Sequence, residues 1–343
     1  MILFYGPTTQ LISGKPYGPG IKNFHTIEAL KKEHAIKSFD TANKSLKNRI
    51  KVFFSLLFSR KRSISAVSSG GRKVIFPIFY LKKKLFRKFD YSIIVINAFI
   101  LEEIKKNKKY IKYLKNATGV FVEIENVKNI LESDYGLTNV FHFPNFKPDS
   151  HYVEENRIAN FQSLDSSLRC AFLARVCESK GIIEAIETIE QLRKENLDVS
   201  LDLYGPVYED CEDLMKSLPS SVTYRGIAAN HEVTEKLKDY NLFLFPSKYK
   251  YEGFPASIID AYSAGLPVIS SDIAFLASIV KDHKNGIIIQ EVNVDTLSKA
   301  IKTFYHDRDF LTKIAHDNYQ ESQNYRTSIV LENLLNNFKK IGW

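Results

Sequence analysis

Glu252 and Asp260 bracket the opening of a helix, and the residue types between them suit the binding of a phosphorylated sugar. An apolar run at 242–247 leads through a short polar loop into Glu252, Gly253, Phe254 and Pro255. Proline suits a first helical turn, where its missing N–H costs nothing. The amides of Phe254, Ala256 and Ser257 then point out of the positive end of the helix, a ready site for phosphate. Asp260 lies about one turn further in, and helical side chains lean back toward the N-terminus, so both carboxylates can face one ligand. Amides from Gly253 onward would take a diphosphate, and the two acids would take sugar and ribose hydroxyls. A nucleotide-sugar fits that pattern. Standing alone, the same residues equally describe a capped surface helix after a buried strand.

They do not stand alone. Glu252-Gly253-Phe254-Pro255, then Asp260-Ala261, then Ala264-Gly265-Leu266-Pro267-Val268-Ile269 resemble the signature of the retaining GT-B glycosyltransferases of family 4. That signature is a Glu, seven residues and a second Glu; here the second acid is Asp, one methylene shorter. Upstream, Phe172-Leu173-Ala174-Arg175 and Lys180-Gly181 resemble the family's strand–loop–helix carrying two cations five residues apart. The resemblance implies that Arg175 and Lys180 clamp the donor diphosphate, a task suited to a planar guanidinium fork and a mobile ammonium. It continues through 201–206 and 222–226, which brings Gly205 and Gly226 to the donor site.

The implied architecture is α/β, a GT-B fold of two Rossmann-like domains with a cleft between them. The implied catalytic group is Glu252 with Arg175 and Lys180. Glu252 would bind donor-sugar hydroxyls and Asp260 the ribose, with anomeric configuration retained by front-face attack. No protein nucleophile, cofactor or catalytic metal is implied. The chain departs from the family where a histidine often follows an N-domain strand: Asn97 stands there, leaving His25 and His142 as fallback candidates. It also has Ala277-Ser278 where the family often has Pro-Glu.

Composition agrees with two domains. A chain of 343 residues with 44% hydrophobic and 13% aromatic content exceeds one core and can fill two. Strand and helix alternate in both halves, which argues for parallel sheets covered by helices. Strands are expected at 2–5, 91–96 and 119–124, and near 169–174, 199–204, 222–224, 242–245, 267–270 and 286–289. A glycine-rich loop, 6–20, precedes an expected helix at 23–32. Gly18 and Gly20 there suit close approach of backbone to a diphosphate. A polar stretch at 147–163 marks the boundary between an N-terminal domain, 1–147, and a C-terminal one, 148–324. The amphipathic segment 325–343 is expected to pack back on the first domain, as in the GT-B fold.

Charge divides the chain unevenly. Residues 1–150 hold 27 Lys and Arg against 11 Asp and Glu, a net of +16, while 151–343 carry −7. No acid occurs between Asp40 and Asp90, where 14 bases interleave with apolar runs at 52–58 and 74–81. Basic clusters such as Arg60-Lys61-Arg62 and Lys82-Lys83-Lys84 around aromatic-rich stretches describe contact with anionic lipid. Lysines coating ordinary core helices are the alternative. Nucleic acid is the poorer partner, because no recognisable nucleic-acid motif accompanies the charge.

Nothing at the N-terminus resembles a signal peptide, and the apolar runs are far shorter than the ~20 residues of a spanning helix. Three cysteines without a Cys-x-x-Cys pair suggest reduced thiols and no metal site. The combined expectation is a glycosyltransferase on the inner face of a bacterial plasma membrane. It would take a sugar from a nucleotide-sugar, UDP-linked by preference, to a lipid-linked or glycan acceptor in capsule or O-antigen synthesis. A catalytically degenerate subunit serving as binding partner or membrane adaptor is the rival. The motifs leave the sugar, the nucleotide, the acceptor hydroxyl and the oligomeric state open.

Overall fold

The computed structural model describes residues 1–12, 15–16, 18–152 and 167–343. The chain divides into two compact units, Met1–Asn145 with Ser328–Trp343, and Phe146–Thr327. These divisions lie two and three residues from those expected at 147 and 324. Much of the expected boundary stretch, 153–163, lies outside the described residues.

Unit one is built on a six-stranded parallel sheet. Its strands, in spatial order, are Ile36–Asp40, Ile2–Gly6, Ser63–Ser65, Tyr91–Val95, Gly119–Val122 and Val140–His142. All five residues of Ile2–Gly6 and of Tyr91–Val95 are buried, as continuous apolar runs in a sheet covered on both faces must be. Ile36–Asp40 and Ser63–Ser65 carry no comparable apolar run. The first is an edge strand with Lys37 and Ser38 in solvent, and the second is a Ser-Ile-Ser triplet enclosed between two neighbours. Neither was foreseen, because position in the sheet, not local pattern, decides them.

The basic stretch between them forms two helices, Leu46–Phe58 and Ser69–Leu85. The second buries Ile75, Phe76 and Phe79 against the sheet. The glycines expected in a loop before the first helix lie inside it instead. Helix Gly18–Lys31 begins at Gly18, with Pro19 tolerated in the first turn and Gly20 buried.

Unit two repeats the architecture with six parallel strands. Their spatial order is Val222–Tyr224, Val199–Tyr204, Leu168–Leu173, Leu242–Phe245, Val268–Ser271 and Gly286–Ile289. Every expected strand of this half is present within one residue. In order of sequence the pattern is 3-2-1-4-5-6, which reverses direction between Leu168–Leu173 and Leu242–Phe245. In open α/β sheets a ligand binds outside the carboxyl ends of the strands at such a reversal.

Helix Thr327–Lys340 follows a short turn at Gln323–Tyr325 and buries Val330, Leu331, Leu334 and Phe338 at i, i+3, i+4 spacing. From Ser328 onward the chain belongs to unit one. Phe338 stacks on Phe121 at 4.7 Å and lies 5.5 Å from Trp343. Among the described residues no helix is long and apolar enough to cross a membrane. Phe338→Ala should cost unit one about 3–5 kcal/mol, the range for emptying a buried aromatic site. Urea unfolding followed by tryptophan fluorescence would measure this, since Trp343 packs directly on the lost ring.

Candidate functional site

The carboxyl ends of Leu168–Leu173 and Leu242–Phe245 send out the loops 174–181 and 246–255, which carry Arg175, Lys180 and Glu252. Three loops at this edge are knitted together by backbone. Ala174 N–H donates to Tyr204 O (3.1 Å), Val176 N–H to Pro206 O (2.9 Å) and Lys248 N–H to Ser179 O (2.9 Å). Two glycines permit that closeness. A Cβ on Gly205 would lie 1.8 Å from Ala174 O, and one on Gly181, at φ +71°, would lie 2.0 Å from Pro246 O. Both atoms struck are backbone, so no side chain can yield. Gly205 therefore serves as a packing position, and Gly226 accepts its N–H at 2.9 Å with open space beside its own Cα.

Lys180 and Glu252 meet directly. The ammonium of Lys180 donates to Glu252 Oε1, and Ser247 Oγ donates to the same oxygen at 2.6 Å. Both charged residues are buried, and the Lys180 Nζ lies 5.4 Å from the Phe245 ring centre and 5.5 Å from that of Tyr249. Arg175 is exposed, with its guanidinium 5.5 Å from the Tyr208 ring and 5.7 Å from the Tyr249 ring. Stacking and cation–π contact hold such a group without satisfying its N–H fork. The site thus presents one solvated cation beside one internally paired one.

Helix Ala256–Ser263 starts one residue later than its sequence suggested. Pro255, at φ −67° and ψ 124°, precedes the helix and accepts from Ile258 N–H at 3.2 Å. Gly253, Pro255, Ala256 and Ser257 are half-buried, and Phe254 packs edge-on to Tyr325 at 5.2 Å. Ala256 and Ser257 are the leading helical residues, whose N–H groups have no intrahelical acceptor.

Asp260 is placed differently from Glu252. It is buried, and its Oδ1 forms a 2.7 Å ion pair with Lys147, which is buried too and also donates to Asn230 Oδ1 at 2.9 Å. Burial raises the Asp260 carboxyl above its ordinary range, opposed by the Lys147 charge. Lys147 is itself held by backbone, its N–H on Tyr325 O and its carbonyl taking Thr327 N–H. Sequence reasoning missed Lys147, Asn230, Ser247, Tyr208 and Tyr249. Lys147 stands in a polar stretch that looks like linker, and only the fold brings it 113 residues along the chain to its acid.

In unit one, the N-domain candidates are engaged structurally. His142 Nδ1 lies 3.1 Å from Glu125 and Nε2 3.2 Å from Glu123 O, and burial lowers its pKa. His25 packs edge-on to Phe24 at 5.5 Å, its pKa also lowered by burial. Asn97, at φ +69°, donates its backbone N–H to Glu123 Oε2 at 2.8 Å. The expected basic surface cluster is not one cluster. Lys82 is buried and donates to Leu56 O at 2.9 Å, and Lys83 is paired with Asp90. Arg60, Lys61, Arg62 and Lys84 are exposed. Burial lowers the Lys82 pKa to about 8.

Comparison with known proteins bears on the family and the fold. The sequence profile described as Glycosyl transferases group 1 matches residues 153–321. The matched residues all lie within unit two. The chain is 28% identical over 171 residues to the poly(glycerol-phosphate) alpha-glucosyltransferase of Bacillus subtilis, covering 48% of this chain and 25% of that one. It is 27% identical over 179 residues to the putative colanic acid biosynthesis glycosyltransferase WcaL of Escherichia coli, covering 47% and 44%. The capsular polysaccharide biosynthesis glycosyltransferase CapM of Staphylococcus aureus is 23% identical over 72% of this chain and 70% of its own. The first two matches span a quarter to under half of those relatives' length.

Among solved structures, Anabaena HepE in complex with UDP-glucose superposes with a TM-score of 0.73 at 15% identity, over 99% of both chains. The sucrose-phosphate synthase of Thermosynechococcus elongatus gives 0.73 at 14%, over 99% and 98%. At such identity the likeness shows the fold, which is the GT-B fold of these neighbours.

Lys147→Ala should cost about 3–5 kcal/mol, because it strands the buried Asp260 charge. The double variant Lys147→Met with Asp260→Leu should recover most of that loss, since no charge remains to be desolvated. Urea unfolding of the three proteins checks both outcomes.

Proposed function

We propose that the chain is a retaining glycosyltransferase that moves a sugar from a nucleoside-diphosphate sugar, UDP-linked by preference, to a lipid-linked or glycan acceptor. The observation that carries the reading is the convergence of Arg175, Lys180 and Glu252 at the strand-order reversal of unit two, beside the leading amides of helix Ala256–Ser263. The relatives named for capsule and colanic acid biosynthesis and the HepE complex with UDP-glucose support it. Bacterial surface polysaccharide is the process it serves.

In this reading a donor diphosphate draws Lys180 away from Glu252 and meets Arg175 on its other side. The two cations then neutralise the charge that develops on the departing oxygen. Glu252, still holding Ser247, turns its freed oxygen to donor-sugar hydroxyls. Leading amides of the helix take phosphate oxygens. Asp260 acts with Lys147 as a paired support for that helix, so any ribose contact is shared with the pair. Configuration is retained by front-face attack, with donor phosphate as base. The reading calls for no cofactor and no catalytic metal. The acceptor is met at an anionic membrane surface through the basic N-terminal unit, on the cytoplasmic side.

A panel of nucleotide-sugars, scored by release of nucleoside diphosphate, tests the proposal. Lys180→Ala or Arg175→Ala should lower turnover by roughly 2–4 kcal/mol, about 30- to 10³-fold. Glu252→Gln should lose turnover while calorimetry still shows nucleoside diphosphate binding. Nucleotide binding without turnover on any donor would instead identify a degenerate subunit. Wild-type turnover in Lys180→Ala would remove the diphosphate role.

A further inference from the structure

Helix Leu46–Phe58 is amphipathic in the wrong direction for a core helix. It attaches to its own unit by polar and small contacts. Ser55 Oγ and Tyr5 Oη lie 2.7 Å apart, and Asn48 Nδ2 donates to Asp40 O at 2.7 Å. The buried Lys82 ammonium donates to Leu56 O, and Leu56 is the helix's one buried residue. The opposite face carries Leu46, Ile50, Phe53, Phe54, Leu57 and Phe58, exposed by between 41% and 74%. At 100° per residue these six occupy an arc of about 140°. Phe54 stacks on Phe58 at 5.8 Å, so the rings form one sheet of apolar surface. A surface helix of a folded unit normally turns this stripe inward.

Charge borders the stripe. Exposed Lys51 flanks one side and exposed Arg49 the other, while exposed Lys47 lies within the arc between Phe54 and Phe58. Beside the helix, a cavity of about 490 Å³ opens against the edge strand, walled by Leu3, Phe39 and Phe54 and rimmed by Lys37, Lys51 and Lys61. Among the described residues no carboxylate pairs with these three lysines, and no acid occurs anywhere from 41 to 89.

We propose that the outward face of helix Leu46–Phe58, with the lysine-rimmed cavity beside it, inserts into an anionic lipid bilayer. The six apolar side chains enter the headgroup and acyl boundary, and Lys37, Lys51 and Lys61 take lipid phosphates. An apolar stripe between basic flanks is the pattern of an interfacial helix. A second copy of this chain fits less well. A twofold contact through the same face would set Lys47, Arg49 and Lys51 against their own kind, with no acid in the segment to meet them. The inference rests on and deepens the membrane-surface reading above; of the expected cluster at 60–62 and 82–84 it keeps Lys61 and moves the rest of the contact to helix Leu46–Phe58 and Lys37.

Co-sedimentation of the full chain with vesicles tests it without using glycosyl transfer. Binding should require phosphatidylglycerol over phosphatidylcholine and weaken with salt. Phe53→Ser, Phe54→Ser and Phe58→Ser together should lower vesicle affinity on the order of 100-fold. Each of Lys37→Gln, Lys51→Gln and Lys61→Gln should lower it about fivefold. The matching changes Lys216→Gln and Lys236→Gln in unit two should leave it unaltered. All these side chains are exposed in solvent except at the cavity wall, and circular dichroism with an unfolding curve checks that each variant folds. Unchanged binding of the triple phenylalanine variant, or equal binding to neutral vesicles, overturns the proposal. So does a wild-type dimer in solution that the triple variant abolishes. None of these results bears on donor turnover, so the two readings fail separately.

Discussion

The ion pair between Lys180 and Glu252 is the contact on which the site depends. It joins the loop after one central strand to the loop after its neighbour, at the place where the sheet reverses its order. Two charges taken out of water need each other, and their burial beside Phe245 and Tyr249 sharpens that need. The pair leaves the site neutral on its inner side, while Arg175 is exposed at the rim. A diphosphate offers Lys180 a better partner than a carboxylate, since it brings more charge and more acceptor oxygens. In the proposed reaction, donor affinity and the release of Glu252 would be one event.

Such a pair could not form without close backbone packing. Gly181 and Gly205 allow loop carbonyls to sit where any Cβ would stand, and these contacts bring the three loops to one edge. Gly181 does so with a left-handed φ directly before the helix that Lys180 precedes. Glycine's freedom at this φ and the placement of the cation are therefore linked. Tyr208 and Tyr249 complete the arrangement by walling Arg175 on its exposed side.

The second buried pair, Lys147 with Asp260, has a different purpose. It lies where the chain enters unit two, next to the residues by which it leaves, since Lys147 pairs by backbone with Arg326 and Thr327. One ion pair thus ties the entry and exit strands to the helix whose N-terminus faces the site. Within the net charge of +16 in residues 1–150, helix Leu46–Phe58 carries three bases and no acid.

Much of this was legible in the sequence, and the reason is local. Parallel strands buried on both faces must be continuous apolar runs, so the six strands of unit two could be read to within a residue. Glu252, Arg175 and Lys180 were recognisable because their spacing is short and their loops follow such strands directly. What only the tertiary structure decided concerns partners far apart in sequence. That Asp260 meets Lys147 and that Glu252 meets Lys180 depends on strand order, which no window of residues contains. The short Ser-Ile-Ser triplet at 63–65 became a strand because its neighbours enclose it. Lys82 left the surface because Leu56 O needed a donor, while the aromatic run beside it turned outward. A run of phenylalanines spells either a core or a surface, and the difference lies in which side of the helix its own unit grips.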